Sequence, residues 1–157
     1  MNEWTSPTLK LEEIDQRISE SKPVSRNDLY TLSTCLKDRY KLIWQLAGAI
    51  LVKTSKYSDD SCEELKRLSN DKSSDIRWRI PVSFNIHPPT EKLAHEVLCK
   101  LLEDRSKKVR EISVEAARRM LLKSILPHMR ERLLGEKNHE LQESINFAIN
   151  EISNSNG

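Results

Sequence analysis

Glycine is scarce in this 157-residue sequence, with three copies; cysteine is as rare, and aromatic residues number eight. Few glycines and few β-branched or aromatic runs exclude a turn-rich sandwich or barrel. The abundance of Leu, Glu, Lys, Arg and Ser points instead to an all-helical chain. No apolar run exceeds the seven residues from Leu46 to Val52, against the ~20 needed to span a bilayer, so no membrane segment is expected. Met1-Asn2-Glu3-Trp4 lacks the basic and apolar regions of a secretory signal. Cys35, Cys62 and Cys99 lie 27 and 37 residues apart without a CxxC pair. Their expected role is as small buried hydrophobes in a reducing, cytoplasmic setting, with no metal or cofactor. At this length one domain removes enough surface from water to stand without a disulfide or metal staple.

The net charge of +2 is unevenly spread. Residues 104–132 carry nine basic and four acidic side chains, whereas residues 133–157 carry one and four. Alternating charge is the ordinary look of solvated helix faces, so the basic belt admits two readings, an exposed surface or an anion site.

A repeat organises the chain. Asp71 followed by Asp75-Ile76-Arg77 recurs 33 residues later as Asp104 followed by Lys108-Val109-Arg110, and one step back lies Asp38 with Ile43. From Ile43 the apolar or small positions are Ala47, Ile50 and Leu51; from Ile76, Ile80, Ser83 and Phe84; from Val109, Ser113, Ala116 and Ala117. A fourth copy starts one residue early with Leu141, Ile145, Ala148 and Ile149. Offsets of 4, 7 and 8 fall on one stripe of a helix. A second helical pattern precedes each copy, best marked from Thr90 to Leu102 behind Pro88-Pro89, so the unit is a helical hairpin. Four hairpins over residues 26–152, an N-terminal capping segment over 1–25 with a helix from about Thr8 to Ser19, and a frayed tail over 153–157 make one domain.

This pattern of Asp, then apolar-Arg, then small or apolar positions resembles the second helix of HEAT repeats. The resemblance implies a short right-handed α-solenoid of the HEAT-like, armadillo type, in which Asp and Arg of neighbouring repeats form a ladder. Asp71, Arg77, Asp104 and Arg110 match its positions; the first copy has Trp44 for Arg, and the last has Lys137 and Gln142. Such departures suit terminal units, which lack a neighbour. Ankyrin and tetratricopeptide repeats have a similar period, but their turn and Trp-Leu-Gly-Tyr patterns are missing.

Catalytic constellations are not evident, and no enzyme is expected. His95-Glu96 begins like a zinc-protease HExxH helix, but Cys99 stands at the second histidine position and the sequence offers no third ligand. His87 precedes Pro88-Pro89, as in a turn. Asp59-Asp60 and Glu63-Glu64 fall where a helix begins and complement its dipole.

The exposed side of the second helices is the surface that solenoids use for binding. Offsets 2, 3 and 6 there read Gln45, Leu46, Ala49; Trp78, Arg79, Val82; Glu111, Ile112, Glu115; Glu143, Ser144, Phe147. Trp and Arg dominate protein interfaces, which makes Trp78 and Arg79 the leading contact pair. Trp78 is equally readable as packing between repeats, and Pro81 either tilts its helix or ends it. The expected function is binding of a protein partner by a small inhibitor, immunity-type protein or adaptor, with Glu111, Glu115 and Glu143 facing a basic toxin or nuclease. The alternative is nucleic-acid binding through Lys107, Lys108, Arg118, Arg119 and Lys123.

Overall fold

The computed structural model describes residues 6–156, which form nine α-helices and a short 3-10 turn at Lys123–Ile125, with no strand among the described residues. The helices are α1 (Pro7–Ser19), α2 (Arg26–Leu36), α3 (Lys41–Ser55), α4 (Asp59–Leu68), α5 (Ser74–Ile86), α6 (Glu91–Leu101), α7 (Lys107–Arg119), α8 (Leu126–Gly135) and α9 (His139–Ser153). Their starts are written in the sequence. Ser6, Ser25, Ser58, Thr90, Ser106 and Asn138 each accept a backbone N–H two or three residues on, and Ser25 with Asp28 closes a reciprocal capping box. Met1–Thr5 and Gly157 lie outside the described residues; helix α9 reaches Ser153, and the Ser155 carbonyl accepts from Lys123 Nζ at 2.9 Å.

Packing follows the repeat. Helices α3, α5, α7 and α9 contact one another in that order, each hairpin's first helix lies against its second, and α1 covers α2 and α3. The stripes named by the 4, 7, 8 offsets are buried at Ala47, Ile50 and Leu51; Ile80, Ser83 and Phe84; Ser113, Ala116 and Ala117; Ile145 and Ala148, while Ile149, the last of the fourth copy, is only partly buried at the end of the row. Together with Leu32, Leu36, Leu65, Leu68, Leu98 and Leu102 from the other row they form a continuous core. No helix among the described residues is long and apolar enough to cross a membrane. Pro81 does not end α5: the helix continues five residues beyond it because Ile80, Ser83 and Phe84 around it are buried, and that packing outweighs a missing N–H and a cost of roughly 3 kcal/mol.

The repeated acidic position has one local task at all four sites. Asp38, Asp71, Asp104 and Glu136 each accept the backbone N–H two residues on, from Tyr40, Ser73, Ser106 and Asn138, at 2.8–3.1 Å. A carboxylate that turns its own chain in this way sets the bend that leads into the second helix. The fourth member is Glu136, not Lys137, because each acid stands five residues before the residue that opens the 4, 7, 8 pattern of its helix (Ile43, Ile76, Val109), and in the last copy that residue is Leu141.

Between turns run the rungs. Arg77 donates Nε and Nη2 to Asp104 at 2.7 and 2.9 Å, and its Nη1 reaches the carbonyls of Asp71 and Lys72. Arg110 repeats this one hairpin later, with Glu136 at 2.9 and 3.1 Å and the carbonyls of Asp104 and Arg105. Each arginine therefore bonds its own turn through backbone and the next turn through a carboxylate. Gln142 keeps only the first half, donating to the Glu136 carbonyl. At the first junction Trp44 carries no such donor; Asp71 is met by Lys37 at 3.1 Å instead.

The crossing of α3 and α5 is tight enough to demand glycine. A Cβ on Gly48 would stand 2.0 Å from Ser83 Oγ and 3.0 Å from its Cβ, at a site where both residues are buried. Gly48→Ala is expected to destabilise by about 1–3 kcal/mol, even though Ala favours helix by ~1 kcal/mol, because the two backbones must separate. Denaturant titration measures it, and adding Ser83→Gly should recover part of the loss. Equal stability of Gly48→Ala and the original would show that the crossing relaxes freely.

Candidate functional site

Trp78 and Arg79 sit together on α5, each half-buried. The Trp78 ring meets the buried Trp44 edge-on at 5.5 Å, its Nε1 donates to Asp75 at 3.1 Å, and Lys108 Nζ lies 3.9 Å from its centroid. Arg79 turns away to the α2–α3 turn. Its Nη1 donates to the carbonyls of Leu36 and Asp38 at 2.7 and 2.8 Å, while the guanidinium lies 5.0 Å from the Trp44 ring. Burial pulls its pKa below the usual arginine value. Arg79 thus supplies the carbonyl bond that Arg77, Arg110 and Gln142 give at the later turns, and it fastens the first junction. Trp78 is a packed residue with one edge left outward.

A groove opens further along the same row, between α7 and α9. Glu111, Ile112, Val114, Glu115 and Arg118 line one side, and Ser144 and Phe147 the other, around about 350 Å³. Its position follows from the helical stripe: α7 buries Val109, Ser113, Ala116 and Ala117, and α9 buries Leu141, Ile145 and Ala148, so the intervening offsets line the gap. Phe147 leaves 56% of its surface in water, an unusual exposure for a phenyl ring.

The polar residues there divide into paired and unpaired. Arg118 gives Nε and Nη2 to Glu115 at 3.0 and 2.7 Å and Nη1 to Glu151 at 2.8 Å, with its guanidinium 5.7 Å from the Phe147 ring. Glu115 also accepts from Arg119 at 2.8 Å, and hydrogen bonding to Arg118 first and Arg119 next holds its carboxyl below the usual range. Glu111 and Glu143 project into solvent; Glu143 touches only the exposed ring of His139, at 3.3 Å.

The basic belt is engaged within the chain. Lys107 pairs with Glu140 at 3.5 Å, Lys108 covers Trp78, Arg118 and Arg119 hold Glu115, and Lys123 bonds the Ser155 carbonyl. Lys107, Arg118 and Arg119 thus face carboxylates, whereas Lys108 and Lys123 keep their charge without an acidic partner in these contacts, and exposed pairs of this kind are weak.

The three cysteines are free, Cys35 buried and the other two half-buried, and burial raises all three thiols above their ordinary value, the reverse of what a nucleophilic cysteine requires. His87 caps the end of α5, where burial foremost, helped by Lys56 and Lys53, lowers its pKa. Glu64 is bonded by Arg67 and Ser33, which places that acidic pair within the surface network. Of these side chains Phe147 is the exposed one, whereas Trp78, Arg79 and Arg118 are half-buried. The signal for Phe147 was an apolar side chain off the buried stripe. No family model and no curated protein match the chain.

Proposed function

We propose that the chain is a short HEAT-like α-solenoid that works without catalysis, as a small inhibitor of the immunity type or an adaptor, by seating a segment of a partner protein in the α7–α9 groove. The repeated turn acids, the arginine rungs and the sequential contact of α3, α5, α7 and α9 support the solenoid reading. The observation that carries the binding reading is the half-exposed Phe147 over an apolar floor of Ile112 and Val114, with the exposed carboxylate of Glu111 on the lining and that of Glu143 on the neighbouring turn of α9. Aromatic anchors in desolvated pockets dominate protein interfaces, with charged rims setting orientation. A partner segment with an apolar side chain flanked by Lys or Arg fits this chemistry, as the surface of a basic nuclease would. Free cysteines accord with a cytoplasmic place of action.

Affinity capture from nuclease-treated lysate of the source cells provides the test. A stoichiometric protein held by the wild type and released by Phe147→Ala, with at least tenfold weaker binding and a shallow salt dependence, is expected. Retention unchanged by Phe147→Ala, or recovery only of nucleic acid that disappears with Lys107→Glu/Lys108→Glu, would overturn this reading in favour of a phosphate-binding surface.

A further inference from the structure

On the other row of helices, three side chains converge that sequence spacing separates. His95 and Cys99 stand one turn apart on α6, and His128 occupies the first turn of α8. His128 follows His95 by 33 residues, one full repeat, so stacking of the hairpins brings the two equivalent positions side by side. The donor atoms of all three lie within 4.8 Å of one another. Helix α6 alone offers two donors, and the third comes from the neighbouring hairpin.

One donor pair already stands at the spacing of a zinc site. Cys99 Sγ is 3.6 Å from His95 Nε2. In a tetrahedral zinc site with Zn–S of about 2.3 Å and Zn–N of about 2.05 Å, sulfur and nitrogen lie ~3.6 Å apart. His95 Nδ1 is 2.9 Å from Ser124 Oγ. In the Nδ1-protonated tautomer that hydroxyl accepts the proton and the Nε2 lone pair is free to bind a metal, the outer-shell arrangement that orients metal-binding histidines. The two imidazoles are set edge to face with centroids 5.5 Å apart. One sulfur and two imidazole nitrogens form a borderline-soft donor set, which favours zinc over magnesium or calcium. His95 and Cys99 are half-buried and His128 is exposed, so an ion reaches the site from solvent.

We propose that His95, Cys99 and His128 form a three-donor site for a zinc-class divalent cation, which clamps α6 to α8 and leaves its fourth coordination position to solvent. The clamp spans the segment that contains α7 and ties the third hairpin to the fourth. It uses none of the groove residues and stands or falls independently of the proposed partner.

The test uses the full chain without a histidine tag, stripped with chelator and titrated with Co2+ as a coloured substitute for zinc. One equivalent should bind with a tetrahedral visible spectrum and a thiolate-to-cobalt charge-transfer band, and Zn2+ should displace it. Cys99→Ser should abolish the charge-transfer band, His128→Ala should weaken binding at least a hundredfold, and Ser124→Ala should weaken it about tenfold. Zinc at a hundred times its Kd should raise the wild-type Tm by about 5 °C or more and leave that of folded His128→Ala unchanged. Circular dichroism confirms that each variant retains its helices. An octahedral spectrum without the thiolate band, affinity unaltered in Cys99→Ser and His128→Ala, or no saturable binding at micromolar metal would each overturn the site.

Discussion

Arg77→Ala should destabilise the chain by about 3–5 kcal/mol, the cost of breaking a buried ion pair by removing one partner. The Arg77 and Asp104 side chains retain 7% and 10% of their exposure, and the guanidinium bonds two carbonyls besides the carboxylate. Removing it strands a buried charge and two acceptors together. For a domain of this size the loss amounts to a fall in Tm of roughly 6–20 °C, measurable by calorimetry. Arg77→Ala/Asp104→Ala should be less destabilised than the sum of the single variants, because the stranded carboxylate is gone. Strict additivity would mean that the pair is not coupled and that the rung is decoration.

Glu136→Ala should cost about 3 kcal/mol or more, although it lies at the last junction. Its carboxylate is almost wholly buried and takes both nitrogens of Arg110, with the Arg132 guanidinium 3.5 Å away and the Asn138 N–H turned onto it. Hydrogen bonding from Arg110 outweighs burial and holds the Glu136 carboxyl below the usual range. At Asp104 burial pushes upward, but Arg77 and the Ser106 N–H overcome it. Both groups therefore bind a proton more readily in the unfolded chain than in the folded one. Their stabilisation is complete above the ordinary carboxylate pKa of about 4 and declines as pH falls through that value towards the lower folded ones. Denaturant midpoints measured from pH 6 down to pH 3 should drop steeply for the wild type and less steeply for Glu136→Gln. Parallel curves would show that Glu136 titrates alike in both states.

Much of this architecture is legible in the sequence because a helix stripe and a turn acid are local signals. The 4, 7, 8 offsets name residues that are buried except Ile149 in the last copy, and the expected helix from Thr8 to Ser19 is α1 with one residue added. What periodicity cannot supply is where a long side chain ends. Arg79 occupies an outward offset, yet its guanidinium reaches carbonyls 41 and 43 residues earlier, because Trp44 leaves that turn without an arginine of its own. Arg77 falls in the same copy as Asp71, but it bonds that residue only through the carbonyl and gives its charge to Asp104. Glu136 escapes a strict 33-residue count, since the last hairpin is one residue short, and only the spacing back from Leu141 recovers it. His128 is hidden for the opposite reason: it keeps the period, and metal-ligand searches look along one helix instead of across repeats.

The rungs also have a direction in time. Each arginine precedes its carboxylate partner by 27 or 26 residues, and the carbonyls it bonds in its own turn are only five or six residues behind it. Arg77 and the carbonyls of its own turn are therefore synthesised before Asp104, and Arg110 and its turn before Glu136. Every charged rung closes on newly made chain, and no rung waits for a distant segment. Such short-range closure keeps contact order low and favours growth of the fold one hairpin after another during synthesis.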